Sequence, residues 1–250
     1  LAESCQLVVL SESARMALQD HYSIDADTVE VIPHGTSWTP SPPNQFPRSR
    51  LITWGLLGPG KGLERAIAAL LALRDLEPRP HLQIVGRVHP NVMRVTGTAY
   101  QDSLLDLARR LGVDDMVSFI DSYLEDDELY EQVRRADIVL LPYDNREQIS
   151  SGVLVEAVSA GRPVVATSFP HAVELLEPGA GIVVEHETTE VAAAIRRLLG
   201  DEVLYQRAAR AAAASSFRHS WPEAALRYQA SVRDRADLEA IPVSVRPGSS

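Results

Sequence analysis

The chain has 250 residues, is 45% hydrophobic, and carries a formal net charge of −10 with a pI near 5.2. That length holds one large α/β domain or one and a half smaller ones, and the acidic balance argues against broad binding along a nucleic-acid backbone while leaving room for a local basic pocket. A single cysteine, Cys5, excludes an intrachain disulfide framework or a site of clustered cysteines and fits a reducing cytoplasm; no apolar run approaches a bilayer-spanning helix, and no signal peptide is visible.

In chain order, short apolar β-rich runs alternate with amphipathic helical patterns. A strand at 7–10 leads to a helix at 12–21 and a strand at 29–32. The stretch 40–50, P-S-P-P-N-Q-F-P-R-S-R, is a proline-rich linker that separates these pieces from the rest. Strands at 51–54, 82–85, 117–120, 138–141, 164–166 and 182–184 then alternate with helices at 62–77, 99–111, 126–135, 152–160, 171–177 and 188–199. Two helices near 201–216 and 222–236 follow with no strand between them, and the residues from Ile241 onward look frayed. Strands apolar on both faces and alternating with helices predict an α/β fold: a doubly wound, Rossmann-like parallel sheet. In such sheets ligands bind outside the carboxyl ends of the strands.

Chemistry-bearing residues fall on those strand-to-helix loops. The stretch 144–167 contains Ser150-Ser151-Gly152 where a helix opens, and one carboxylate, Glu156, a turn later on an otherwise apolar helix. Free N–H groups and the positive end of the dipole make a helix mouth an anion site. At 1.5 Å rise per residue, Glu156 lies about 6 Å beyond Gly152, which suits a sugar hydroxyl attached to phosphates held at the mouth. A capped core helix with one solvated Glu has the same pattern.

The loop W-G-L-L-G-P-G-K-G, 54–62, offers Gly58 and Gly60 for close backbone approach and Lys61 at a helix opening. These suit a pyrophosphate. No Ser or Thr follows the lysine, so this is not a Walker loop; a flexible turn with a solvated lysine is the plain alternative. The next loop, I-V-G-R-V-H-P, places Arg87 and His89 after a strand, with His89 open to a structural role. In Pro33-His34-Gly35 the glycine is expected to supply a positive φ. The acidic run at 125–128 opens a helix, where it complements the dipole, and neither it nor Asp114–Asp115 has metal-ligand spacing. No nucleophile elbow is present. The acid expected after the second strand of a dinucleotide fold is also missing, because 82–85 runs into Gly86.

Together, V-I-P-H-G, G-L-L-G-P-G-K-G-L-E, I-V-G-R-V-H-P and S-S-G-V-L-V-E-A-V-S-A-G-R-P-V-V-A-T resemble the retaining GT-B glycosyltransferases, and within them the "group 1" family that uses nucleotide-sugar donors. The resemblance covers roughly residues 6–236 and implies the C-terminal, donor-binding half of a two-domain enzyme. On that reading 1–27 is the last βα unit of a missing N-terminal domain or the crossover from it, and 28–220 the nucleotide-sugar domain. Residues 221–240 would be a helix folding back toward the N-terminal half, and 241–250 a disordered tail.

By position, Lys61 matches the lysine that holds the donor phosphates, and Glu156 the second glutamate of E-x7-E, which binds ribose hydroxyls. Ser151, Gly152 and Val153, beside Ser150, fall where backbone amides meet the pyrophosphate, and 120–124 where the base docks. The first glutamate of the pair is Gln148 here, keeping hydrogen-bonding capacity without charge. The arginine that often follows the first glycine is Leu56, so Arg87 is the candidate to compensate.

The resemblance thus implies sugar transfer with retention, without metal or other cofactor, to an unknown acceptor. Lys61 and Gln148 would act at the reacting donor, and Gly58, Gly60, Arg87, Ser150, Ser151, Gly152, Val153 and Glu156 would bind it. The implied partners are a nucleotide sugar and the N-terminal half, with no nucleic acid, in a cytoplasmic setting that leaves room for peripheral membrane association through that half. Two other classes stay open: a nucleotide-sugar-binding module without transfer, and an NAD-dependent oxidoreductase.

Overall fold

A computed structural model of the chain describes residues 7–22, 24 and 28–239. Strands β1 (Leu7–Val9) and β2 (Val29–Val31) pair in parallel as a separate two-stranded sheet, joined by helix α1 (Glu12–His21). Ser11 caps α1 by accepting from the Ala14 N–H, and the next free N–H groups, of Glu12 and Ser13, donate to the Glu174 carboxylate at 3.0 and 2.9 Å. A carboxylate at a helix N-terminus satisfies orphan donors and complements the dipole, and this one fastens the unit to the main body.

The proline-rich stretch carries no regular element through Ser49 but is strapped down. The buried Arg162 guanidinium donates to the Ser41 and Pro42 carbonyls at 3.0 and 2.7 Å, and Asn44 donates to the Ala136 carbonyl at 2.9 Å.

The main sheet comprises β3 (Arg50–Trp54), β4 (His81–Val85), β5 (Val117–Ile120), β6 (Ile138–Leu141), β7 (Val164–Thr167) and β8 (Gly181–Val184), all parallel, in the order β5-β4-β3-β6-β7-β8. Period-two alternation sends neighbouring residues to opposite faces, and both are covered. Leu51, Leu82, Ile138 and Leu140 join a core with α2 (Leu63–Leu70), α4 (Ala99–Leu111), α8 (Thr188–Gly200) and α9 (Glu202–Ser215). Ile52, Trp54, Val139 and Leu141 join a second core with α5 (Asp126–Arg135), α6 (Gly152–Ser159) and α7 (Pro170–Leu176). This is the doubly wound arrangement expected from the strand composition.

Three local expectations change. The helix predicted at 62–77 ends at Leu70 and continues only as a 3₁₀ turn, Leu71–Leu73. Asp75 is drawn to Arg196 at 2.6 Å, and Pro78 and Pro80 cannot extend a helix. An extra helix, α3 (Pro90–Thr96), follows β4. Pro90 stands at its first turn, where a missing N–H costs nothing, and His89 Nδ1 caps it by accepting from the Asn91 N–H at 3.1 Å. The final helix, α10 (Trp221–Glu239), starts one residue earlier than expected; the tail from Ile241 lies outside the described residues.

The chain winds outward from β3 through β4 to β5, then returns beside β3 with β6. That reversal opens a crevice between β3 and β6 at their carboxyl ends, the general ligand position of such sheets.

Candidate functional site

Two loops flank the crevice. After β3, the loop 55–62 runs alongside the loop after β4: Leu57 N–H donates to the Arg87 carbonyl at 2.9 Å and His89 N–H to the Leu57 carbonyl at 2.7 Å. It then drops onto the loop after β6. Asp144 N–H donates to the Gly60 carbonyl at 3.0 Å, and Gly62 adopts φ +65 with the Pro142 carbonyl oxygen 1.7 Å from where a Cβ would stand. Arg65 secures the junction, donating to the Pro142 carbonyl at 2.7 Å and pairing with Asp144 at 2.8 Å.

Lys61 therefore projects beside β6, its Nζ 4.4 Å from the centroid of the buried Tyr143 ring. Burial holds the Lys61 pKa below the ordinary lysine value and pushes the Tyr143 phenol up to about 12. A cation over an aromatic face gains from the ring quadrupole, and among the described residues no carboxylate pairs with the partly dehydrated amine.

The mouth of α6 lies across the same crevice. Ser151 is its N-cap, with Oγ accepting from the Leu154 N–H at 3.2 Å. The Ser151 N–H donates to His171 Nδ1 at 2.8 Å, so that nitrogen carries no proton. Among the described residues the N–H groups of Gly152 and Val153 have no protein partner, leaving two donors at the mouth. Gln148 is turned into its own loop: Nε2 donates to the Ser150 carbonyl at 3.1 Å, and its backbone carbonyl accepts from His171 N–H at 3.3 Å.

His34 lies over the mouth, its ring 3.9 Å from where a Cβ on Gly152 would stand, and tilts against Trp221 with centroids 5.5 Å apart. Gly35 does not take the positive φ expected of it. Its lack of a side chain makes room for Trp221 instead, since a Cβ there would meet the indole at 2.3 Å.

Next to the mouth is a cleft of about 230 Å³, walled by Trp54, Arg87, Tyr123, Leu124, Asp126 and Glu156 among others. Trp54 Nε1 donates to Glu156 Oε2 at 2.9 Å, and Trp38 Nε1 to Asp126 Oδ1 at 2.9 Å. Burial raises the Glu156 pKa above the ordinary value; the Trp54 hydrogen bond opposes that shift and the Asp126 charge adds to it.

The sequence-predicted residues thus divide. Arg87 and Glu156 line the cleft, as do Ser122, Tyr123 and Leu124 of the segment 120–124. Gly60 and Lys61, on the loop after β3, and Gly152 and Val153, where α6 opens after β6, flank the adjoining crevice. Gln148 and Ser150 are engaged with each other within their own loop, and Ser151 is committed to capping α6 and to His171 of α7. Gly58 stands apart, facing Val92 of α3, and His89 serves as a helix cap. Sequence reasoning missed Trp54, Tyr143, His171 and the Trp38–Asp126 pair. The two tryptophans carried a signal: a buried indole N–H requires an acceptor.

Among the described residues no group of three or more His, Cys, Asp or Glu is arranged to hold a metal, and no helix is long and apolar enough to cross a membrane. The geometry therefore offers a cation and two N–H donors for an anion, next to a cleft whose carboxylates can accept from hydroxyl or N–H groups.

The sequence pattern of the family described as "Glycosyl transferases group 1" matches residues 43–215. The chain belongs to this family. It is similar to the D-inositol 3-phosphate glycosyltransferase of Kineococcus radiotolerans, at 30% identity over 260 residues covering 92% of this chain and 58% of the relative. The enzyme of the same name from Stackebrandtia nassauensis is 31% identical over 242 residues, covering 90% of this chain and 53% of that one. The chain thus spans little more than half the length of these curated relatives. Among solved structures, Anabaena Alr3699/HepE in complex with UDP superposes with a TM-score of 0.77 at 21% identity, covering 92% of this chain and 64% of that one. That likeness bears on the fold, which is that of the GT-B glycosyltransferases.

Proposed function

We propose that this chain is the nucleotide-sugar-binding part of a retaining glycosyltransferase that works without a metal or other cofactor. The observation carrying this is the joining of two features at one crevice in a group 1 chain: the Lys61, Gly152 and Val153 mouth, and the cleft holding Glu156 and Arg87. The diphosphate would occupy the mouth and the nucleoside the cleft. As the glycosidic bond breaks, negative charge grows on the leaving diphosphate, and a fixed cation with oriented N–H groups stabilises it. Glu156, aimed by Trp54, would take the ribose; Gln148 would orient the transferred sugar through its uncommitted amide oxygen. The acceptor, and the groups that hold it, would belong to an N-terminal half. UDP in HepE makes UDP-glucose the first donor to try. Calorimetry with UDP-, GDP- and ADP-glucose should show one of them binding, with Lys61→Ala and Glu156→Ala each weakening it at least tenfold. Absence of binding, or unchanged variants, would remove the assignment.

A second reading, a sensor that binds donor without transferring sugar, draws on Gln148, whose side-chain amide already serves its own loop. Supplying the full-length protein with donor and following hydrolysis or transfer separates the two. The oxidoreductase reading finds no support: Gly86 and Arg87, not an acid, follow β4.

A further inference from the structure

Two carboxylates, Glu156 and Asp126, line the same cleft, and an indole has taken one oxygen from each. Trp54 fixes Glu156 Oε2, and Trp38 fixes Asp126 Oδ1. Both tryptophans are buried at 5% exposure, and their rings pack 5.8 Å apart, with the Tyr130 ring 5.4 Å from Trp38. An indole offers one donor in one direction. A locked ring therefore decides which carboxylate oxygen is used up and which stays free. Glu156 Oε1 and Asp126 Oδ2 have no hydrogen-bond partner among the described residues.

Ionised carboxylate oxygens only accept, and like charges lining one cleft repel. The Asp126 charge is one of the causes that raise the Glu156 pKa. A ligand that brings two adjacent hydroxyl donors relieves that repulsion and satisfies both free oxygens; the vicinal diol of a ribose is such a group. We propose that Asp126, aimed by Trp38, is a second acceptor for the ribose of the bound nucleotide, taking one hydroxyl of the diol while Glu156 takes the other. The inference rests on the nucleotide-site reading given above. Trp38 and Trp54 are then positioning residues, and the nucleobase extends toward Arg87 and Tyr123.

Asp126→Asn is a sharp probe. The single amide oxygen is claimed by the Trp38 N–H, so the NH2 group faces the ligand and the hydroxyl loses its acceptor. Asp126 is exposed, and the variant should fold. Calorimetry on the 250-residue chain would first find which of UDP, GDP and ADP binds tightest, then use its 2′-deoxy and 3′-deoxy forms. Each deoxy form should bind wild type roughly tenfold or more weakly, the worth of a hydrogen bond to a charged group. Asp126→Asn should bind the ribonucleotide more weakly and stop discriminating against one deoxy form, while Glu156→Gln stops discriminating against the other. Trp38→Phe should give an intermediate loss at the Asp126 hydroxyl. If the ribonucleotide binds but Asp126→Asn keeps both wild-type ratios, or alters only the preference among bases, this inference is overturned and the nucleotide site stands. If no nucleotide binds the wild-type chain, both fall.

Discussion

Ser151 donates its backbone N–H to Nδ1 of His171 at 2.8 Å, so the cap of α6 depends on an imidazole that must stay neutral there. Burial lowers the His171 pKa, and it pushes His219, whose charge would also repel that of His171, down to about 4.

Acid should therefore loosen this region. The unfolded chain takes up a proton on each imidazole near pH 6.5, whereas the folded chain resists until lower pH. Between those limits the unfolded state binds more protons, and stability falls as pH falls. The contribution is whole above pH 6.5 and, for His219, gone below about pH 4. At about 1.4 kcal/mol per unit, His219 accounts for about 2 kcal/mol between pH 6.5 and pH 5. Urea titrations at pH 7 and pH 5 should show the loss, and His219→Asn should flatten it; an unchanged slope in the variant would refute the assignment.

Gly62 and Gly60 test the joint between the two crevice loops. Both take positive φ, +65 and +90, but a Cβ at Gly62 would lie 1.7 Å from the Pro142 oxygen, while at Gly60 it meets nothing within 4 Å. Gly60→Ala should cost about 1–2 kcal/mol, the backbone penalty alone. Gly62→Ala should exceed 3 kcal/mol, because the loops must part. Thermal unfolding of the two variants makes the comparison, and equal losses would mean that the close approach is not what matters.

Most of the fold was legible because its signals are local. Strands such as 138–141 are apolar on both faces, and a parallel sheet needs that; the helix at 126–135 shows acids first and arginines last. What escaped were partners distant in sequence. Nothing near Trp54 announces Glu156, 102 positions on, and Ser151 gives no hint that its N–H is committed to His171. Asp126 was visible only as part of an acidic helix start, because the same residue type serves the dipole and the cleft. Gly35 suggested a turn, since a glycine that yields space to a remote indole has the same sequence signature as one that yields φ.

That last pairing can be tested by rescue. Gly35 lies under Trp221 at the start of α10, and the two segments are stitched by Thr36 N–H to the His219 carbonyl at 2.7 Å and Trp221 N–H to the Thr36 carbonyl at 3.3 Å. Gly35→Ala should destabilise by about 2–3 kcal/mol through overpacking. Trp221→Ala alone removes a half-exposed side chain and should cost less. In the double variant the clash is gone, so the combined loss should be clearly smaller than the two singles added. Strict additivity in a thermal or urea cycle would show that the glycine is not there for the indole.

Lys61 should separate stability from binding. Its pKa is lowered because burial disfavours the charged amine, and among the described residues no carboxylate pairs with it to offset that cost. The sign follows directly: a lysine whose folded pKa is depressed destabilises the fold wherever it is charged, and the loss is fully present below the folded value. Lys61→Met keeps the aliphatic stem against Tyr143 and removes the charge. It should leave the melting temperature unchanged or raise it by a few degrees, roughly what 1 kcal/mol gives in a domain of this size. The same change should weaken diphosphate binding at least tenfold, since a charge-assisted contact is worth about 1.5–3 kcal/mol. Differential scanning calorimetry with and without inorganic pyrophosphate reads both: wild type should gain stability from the ligand and Lys61→Met should not. A variant that melts lower yet still gains from pyrophosphate would mean that Lys61 is there for the fold, with the anion held by the α6 mouth alone.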